Sequence, residues 1–404
     1  MSTPTAEFLT LMGPEPFDLL TRVRETSPVV PIAFPDGLDR HLVTRHEDVR
    51  QVLADPRFSS DLSESVALLQ GPTAPVLRKF QDLLGRSMLN VDPPDHTRLR
   101  KLVVRAFSAK RVDALRPRIT ELAGQLLDQV AGQSEIDLVA DFSFPLPVLV
   151  ICELLGVPPE DRAHFSALSH QMLAYLGSER AIREAQAGID GLVAYMSGLI
   201  EAKRAAPADD LISDLIAISE DGDRLAPDEL VAMGVLLLNA GHETTVNLIG
   251  NGVVLLLQRP DVLARLREEP ALVAAAVEEF LRLDGPVHPG LVRRATVDAE
   301  IGGVPVAAGT FVLLGTSAAN RDPRRFANPD EIDLDRADNP HLAFGYGIHF
   351  CLGARLARLE SEIAFNALLA RYPKLELAVP VAELRRRPGA LLRGFDSVPL
   401  RVGG

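Results

Sequence analysis

Phe344-Gly345-Tyr346-Gly347-Ile348-His349-Phe350-Cys351-Leu352-Gly353 carries one of only two cysteines in the 404-residue chain, at a glycine-rich turn that opens a helical pattern. Glycine has no Cβ and tolerates positive φ, so such a turn lets the backbone approach a flat ligand closely. The unpaired N–H groups of a helix start face the sulfur and favour its thiolate form. A thiolate held this way is a soft, electron-rich ligand suited to iron. A lone cysteine is more often a packing residue, but the full ten-residue pattern favours ligation.

Phe-x-x-Gly-x-x-x-Cys-x-Gly resembles the haem-binding loop of the cytochromes P-450. The resemblance implies haem b, with Cys351 as the axial metal ligand and Phe344, Gly345 and Gly353 in the surrounding loop. Tyr346 stands where relatives often carry His or Gln.

Working outward, no linker or charge block divides the chain, and its 30 prolines and 29 glycines are spread as punctuation. One domain over residues 1–404 is expected, large enough to enclose a cavity. Apolar residues make up 47% and charged residues 24%, ordinary for a soluble globular protein. A net charge of −13 argues against a nucleic-acid or anionic-membrane partner. Met1–Pro16 has no basic region followed by an apolar one, so no leader is expected. The most apolar stretch, Val231–Leu257, is interrupted by Asn239, His242, Glu243 and Asn247. It reads as a buried core helix rather than a bilayer span. Cys152 and Cys351 do not form a disulfide framework, and a cytoplasmic location fits.

Two cysteines are too few for the usual iron–sulfur ligation. Gly250-Asn251-Gly252 lies inside the long helix rather than after a strand, so it is no dinucleotide fingerprint. Electrons for any redox chemistry must then come from another protein.

Helical patterns dominate: Val112–Val130, Asp161–Leu173, Ala181–Arg204, Pro227–Leu257, Asp261–Glu268, Pro270–Leu283 and Cys351–Ala370. Strand patterns are short, at Val29–Ile32, His41–Thr44 and within Arg294–Leu314, where Gly302-Gly303 predicts a hairpin turn. Leu375–Val379 and Val398–Val402 add strand candidates. The predicted class is mainly α with small β-sheets, and the resemblance implies the single-domain cytochrome P-450 fold.

The second constellation is Ala240-Gly241-His242-Glu243-Thr244-Thr245, midway along the long apolar helix. A buried acid and hydroxyl are costly there unless they serve a purpose. Thr244 can bond back to the carbonyl of Ala240 and bend the helix. His242-Glu243 begins a zinc-protease motif, but Val246 replaces its second histidine. The segment resembles the family's acid–alcohol pair, which implies that Thr244 bonds oxygen and Glu243 relays protons as catalytic residues.

Glu279-Phe280-Leu281-Arg282 places Glu279 and Arg282 on one helix face. The family resemblance adds Arg336, from Asp335-Arg336, and implies a buried structural ion network that supports the cysteine loop. Haem propionates call for Arg and His donors. His96 and Arg100 share a helix face at i, i+4, and Arg293 and His349 match the other two family positions.

Further matches lie in Met88–Pro94, Pro145–Pro147, Ile151–Gly156 and Leu391–Gly394. They are similar to segments of soluble actinobacterial cytochromes P-450 that tailor macrolides and other polyketides. The resemblance therefore covers nearly the whole chain. It implies a substrate pocket drawn from Ser60–Leu89, Leu168–Arg183, Leu236–Glu243, Val287–Val292 and Leu391–Leu392. Leu84, Leu236, Leu238, Ala240, Val287, Leu291 and Leu392 suit a bulky hydrophobic substrate. Asn239 is polar where relatives are commonly apolar; it either bonds a substrate oxygen or caps a backbone carbonyl.

Between Arg98 and Arg118 there are eight basic residues (Arg98, Arg100, Lys101, Arg105, Lys110, Arg111, Arg116, Arg118) and one acid, Asp113. A basic patch on an acidic chain suggests an acidic docking partner. The resemblance makes that partner a ferredoxin, served by an NAD(P)H-dependent reductase. The competing reading is a solvated helix face. The expected function is an O2-dependent monooxygenase that hydroxylates or epoxidises a macrolide or polyketide in antibiotic biosynthesis. Steroid or terpenoid hydroxylation, peroxide-driven oxidation and a non-catalytic haem protein are the alternatives.

Overall fold

The computed structural model describes residues 6–7, 11, 13, 16–33, 40–69, 71–104, 107–173, 178–220, 225–387 and 391–403. Helices far outweigh strands, in line with the pattern read from the sequence. Helices that position the site are α1 (Asp95–Val104), α2 (Arg116–Gln129), α3 (Pro145–Leu155), α4 (Arg162–Leu173), α5 (Glu179–Ala205), α6 (Pro227–Leu257), α7 (Val273–Asp284) and α8 (Ala354–Arg371).

The 31-residue α6 is the axis of the molecule. At 1.5 Å per residue it runs about 46 Å. Pro227 suits the first turn, where its missing N–H leaves no bond unmade. Asp228 and Glu229 complement the helix dipole there. Glu229 Oε2 accepts from the Ala226 N–H at 2.8 Å. This is half a capping box, because alanine has no side-chain acceptor to return the bond. Beyond the first turn α6 is apolar around most of its circumference, the mark of a core helix. No helix among the described residues is long and apolar enough to cross a membrane.

Near its C-terminal end α6 meets two phenyl rings. A Cβ on Gly252 would lie 2.6 Å from Phe365 and 2.8 Å from Phe280, so only glycine allows the approach. Phe280 on α7 and Phe365 on α8 pack with ring centroids 5.0 Å apart, both almost wholly buried. Each contributes about 1.5–3 kcal/mol by burial. Toward its N-terminal end α6 faces softer neighbours: Gly234 lies under Met196, and Gly241 under Ile151.

Strands are numbered in chain order: β1 (Ala6–Glu7), β2 (Val29–Ala33), β3 (Arg40–Val43), β4 (Phe58–Ser59), β5 (Glu135–Asp137), β6 (Leu291–Ala295), β7 (Ala299–Ile301), β8 (Val304–Val306), β9 (Phe311–Leu314), β10 (Glu376–Leu377) and β11 (Pro399–Arg401). Six form one sheet in the order β1-β2-β3-β9-β6-β4. Gly302 and Gly303, at φ 56° and 83°, join β7 to β8 in a tight hairpin. β11 pairs with both β10 and β5.

Three expected boundaries move. The pattern Val112–Val130 is two helices, Ala109–Ala114 and α2, because Pro117 starts a new helix after Leu115. The helix expected from Pro270 begins as a 3-10 turn, Pro270–Leu272, and becomes α-helical at Val273. Most consequentially, α8 starts at Ala354, three residues beyond Cys351.

Candidate haem and active site

The cysteine loop lies between a 3-10 turn, Gly347–His349, and α8. The Cys351 N–H donates to Phe344 O at 2.9 Å and the Gly345 N–H to Leu342 O at 2.9 Å, closing the loop on itself. Gly347 has φ 74°, and a Cβ there would lie 2.7 Å from Leu53 O. The Arg358 guanidinium sits 4.5 Å over the Phe344 ring. Phe350 is partly exposed, and its ring centroid lies 6.2 Å from that of Phe344. Tyr346 turns outward: its hydroxyl accepts from Arg50 Nη2 at 2.9 Å.

Cys351 has solvent-accessible surface, yet burial pushes its thiol up. Hydrogen bonds from the Gly353 and Ala354 N–H groups, with Arg100 and Arg358, pull the other way without overcoming burial. The late start of α8 thus still aims two amides at the sulfur.

Around this loop gather cationic and imidazole groups with no carboxylate hydrogen-bonded to them among the described residues; Asp92 acts on them only through space, its oxygens being held by Ser59 Oγ and the Ser60 N–H. His96 and Arg100 come from α1, Arg293 from β6 and His349 from the loop itself. The His96 and His349 rings lie 4.2 Å apart. His96 is 2% exposed and its Nε2 has no hydrogen-bond partner. Arg293 is 7% exposed, and Nη1 donates only to the neighbouring Val292 O. Burial pulls its guanidinium down to about 10, with Asp92 opposing. Arg100 Nη2 donates to Phe350 O at 2.6 Å. His349 Nε2 pairs with Ser60 Oγ at 2.9 Å, and burial, then Arg293 and His96, drive its ring down to about 3. Such a cluster fits an anionic edge.

Across from it, Leu236, Ala240 and Thr244 form one stripe of α6 at i, i+4 spacing. Leu236 is 6% exposed, Ala240 is exposed and Thr244 half-buried, on a helix that is mostly buried beyond its first turn. Thr244 Oγ1 donates to Ala240 O at 3.0 Å. Glu243 points elsewhere, with Oε2 3.5 Å from Arg387 Nη1 and Oε1 3.7 Å from His242 Nε2. His242 is wholly buried, which lowers its pKa; Nδ1 bonds Leu238 O at 2.7 Å and Nε2 faces Ser169 Oγ at 3.2 Å.

Of the two readings open for Asn239, the carbonyl cap is observed. Its Nδ2 donates to Val235 O at 3.0 Å and its Oδ1 accepts from Ser169 Oγ at 2.6 Å. Both ends of the amide are engaged within the protein. Leu238 leaves the pocket, fully buried in the core on another face of α6. Val287 and Leu392 pair across an isolated β-bridge, and Leu84, Val287, Leu291 and Leu392 are all half-buried. The candidate stretches Ser60–Leu89 and Leu168–Arg183 fall partly outside the described residues.

Glu279, Arg282 and Arg336 do meet. Arg282 Nε and Nη2 each lie 2.8 Å from a Glu279 oxygen, and Arg336 Nε lies 3.1 Å from Oε1. The Asp333 N–H and Asn339 Nδ2 add further donors at 2.8 and 2.9 Å. Arg282 also donates to Asn320 O, Pro329 O and Glu331 O. Burial alone would raise the Glu279 carboxyl, but these bonds, led by Arg282, hold it below its usual range.

The basic segment is less bare than its sequence suggests. Arg98 pairs with Glu229, Arg111 with Asp214, Arg116 with Glu362 and Arg118 with Glu153. Arg105 lies outside the described residues. Three partners escaped the sequence reading: Arg387 on Glu243, Ser60 on His349 and Ser169 on the Asn239–His242 pair. Each comes from a distant segment, and no short-range pattern announces it.

Residues 168–380 match the family model described as Cytochrome P450. This chain belongs to the cytochrome P450 family. It is 46% identical over 389 residues to the vitamin D(3) 25-hydroxylase of Pseudonocardia autotrophica, covering 96% of this chain and 94% of that one. It is 42% identical over 386 residues to the 6-deoxyerythronolide B hydroxylase of Saccharopolyspora erythraea, covering 95% of each. The solved structure of the Bacillus subtilis bacillaene polyketide synthase cytochrome P450 PksS superposes with a TM-score of 0.89 at 38% identity, covering 98% of both chains.

As a cytochrome P450 the chain is a monooxygenase. The family carries haem b on a cysteine thiolate and takes O2, a hydrophobic substrate and electrons from a redox partner. The residues fit that cofactor. The orphaned His96 nitrogen and Arg293, which has no hydrogen-bonded carboxylate, suit its propionates, and a Cβ on Gly353 would meet nothing within 4 Å, leaving room for a flat ring.

Proposed function

We propose that Cys351 would bind the iron of haem b through its thiolate and that His96, Arg100, Arg293 and His349 would hold its propionates. The observation that carries this reading is the buried cluster of arginine and imidazole groups, with no carboxylate hydrogen-bonded to it, beside a cysteine with accessible surface. Haem b, when bound, supplies the activation of O2 and the insertion of one oxygen atom into substrate. The chain's own residues do the rest. Phe344, Gly345 and Gly353 shape the loop around the thiolate. The Glu279–Arg282–Arg336 network fixes the segment that leads into that loop. Thr244 offers a hydroxyl at the open stripe of α6, and Glu243 one residue earlier supplies protons to it.

The substrate we propose is a bulky, mostly hydrophobic macrolide or polyketide, oxidised within residues 1–404 acting as one domain. The apolar residues Leu84, Leu236, Val287, Leu291 and Leu392, with Ala240 leaving space, support this class. So do relatives that act on macrolides and polyketides. A secosteroid is the second reading, favoured by the 46% identity to the vitamin D(3) 25-hydroxylase. Electrons come from an acidic ferredoxin and its NAD(P)H-dependent reductase in the cytoplasm, docking near the basic segment where Lys110 is exposed.

The test is a spectral titration of the ferric protein with macrolactones, vitamin D3, other steroids, terpenoids, fatty acids and flat polyphenols. A saturable low-to-high-spin shift is expected with macrolactones. A shift only with vitamin D3 would move the assignment to the second reading, and a shift only with another class would overturn both.

A further inference from the structure

Glu243 stands out because its charge is matched from an unexpected quarter. Its side chain is 5% exposed, and a carboxylate so buried needs a partner. Among the described residues the cation beside it is Arg387, 144 positions away, with Nη1 at 3.5 Å from Oε2. The other oxygen faces His242, an imidazole that burial keeps neutral.

Arg387 is mounted firmly. Its N–H donates to Gly394 O at 2.9 Å, and the adjacent Arg386 pairs with Phe395 across an isolated bridge. Arg386 and Arg393 both grip Asp284, at 2.6 and 2.7 Å. On its far side Arg387 Nε lies 3.7 Å from Asp396 Oδ1, whose side chain is 55% exposed. The guanidinium therefore spans from a buried acid to a solvent-facing one. Neighbouring residues on an α-helix point about 100° apart, so Glu243 cannot share the Thr244 face. Its direction must be set by something else, and Arg387 is what it leans on. A guanidinium does not give up its proton near neutral pH, so Arg387 orients and does not relay.

We propose that Arg387 is a positioning residue for proton supply, holding Glu243 as an aligned carboxylate beside Thr244 while Asp396 steadies it from the solvent side. The inference rests on the assignment of Glu243 to proton supply. Without the guanidinium, the buried carboxylate loses the partner that fixes its direction and turns to another. Protons then reach the site slowly, and reducing equivalents leave as hydrogen peroxide, NADH + H⁺ + O2 giving NAD⁺ + H2O2.

The experiment compares holoenzymes carrying Arg387→Ala, Arg387→Lys, Glu243→Gln and Arg387→Ala/Glu243→Gln. A surrogate ferredoxin system drives them with 6-deoxyerythronolide B or vitamin D3, whichever gives the larger spin-state shift. Arg387→Ala should lower product per NADH at least about threefold and raise the solvent isotope effect, a smaller change than the ~10²–10⁴ that a direct acid–base group contributes. The half-saturating substrate concentration should stay put, and Arg387→Lys should recover part of the coupling. Urea midpoints, which need no substrate, should fall less in the double variant than the two single losses combined. Wild-type coupling in Arg387→Ala beside an uncoupled Glu243→Gln overturns the inference and leaves the role of Glu243 standing. Unchanged coupling in Glu243→Gln overturns that underlying role instead. Additive midpoint losses with no lysine rescue assign Arg387 to structure alone and overturn the inference as well.

Discussion

Two buried charge clusters flank the cysteine loop, and they are built on opposite plans. Around Glu279, each carboxylate oxygen receives at least two donors, and Arg282 is capped by three backbone carbonyls. Around His96 and Arg293 no carboxylate among the described residues is hydrogen-bonded, and Asp92 acts on them only through space. A closed network of this kind stabilises a fold, whereas an open one is a receptor for charge that the chain does not itself carry. The contrast teaches how to read a buried arginine: by what it lacks rather than by how deeply it sits.

The comparison can be broken most sharply at its closed end. Glu279→Ala leaves Arg282 and Arg336 uncompensated and should cost about 3–5 kcal/mol of stability, read from the denaturant midpoint. At the open end, Cys351→Ser should abolish the thiolate-type absorbance of the reduced, CO-treated protein while the haem-free fold survives. Arg293→Met should weaken haem retention, measured by transfer to apomyoglobin. It should leave the haem-free protein as stable as before or more so, because a buried cation with no hydrogen-bonded carboxylate is removed. A loss of several kcal/mol there would show the cluster to be closed after all. Thr244→Ala should lower product per NADH several-fold with little change in melting temperature.

The smallest effect belongs to a third buried acid. Glu360 on α8 is 0% exposed and neither oxygen has a hydrogen-bond partner; burial pushes its carboxyl well above the usual range. It is therefore neutral where Glu279 is charged. Between the ordinary carboxyl pKa and its raised value, the folded chain binds the extra proton, so stability falls as pH rises. Glu360→Gln should be near neutral at pH 6 and flatten that decline in urea midpoints measured toward pH 9. A midpoint loss as large as that of Glu279→Gln would erase the distinction.

Much of this was legible in the sequence for local reasons. α6 shows its ends through Pro227 and its apolar run, and the cysteine loop announces itself within ten residues. Partners distant in sequence were not legible. β5 exists because it pairs with β11, some 260 positions away, and three residues of Glu135–Asp137 carry no pattern of their own. The same distance hid Arg387 from Glu243. The basic run Arg98–Arg118 misleads in the opposite direction, since four of its arginines find acids that lie outside the run. Asn239 was ambiguous because an amide one turn before Glu243 can face either way, and only packing against Ser169 decides it.

The packing of α6 carries a consequence for how this enzyme can change. Gly252 is wedged between two rings that cannot yield, whereas Gly234 and Gly241 sit under Met196 and Ile151, side chains that can rearrange. The helix behaves as a beam fixed at one end and cushioned at the other. Substitutions along 232–241 can alter the shape offered to substrate without shifting the beam's anchored half. Catalytic alignment is thus inherited while selectivity drifts, and a directed-evolution library confined to the cushioned end should retain many more folded members than one spread over 248–256.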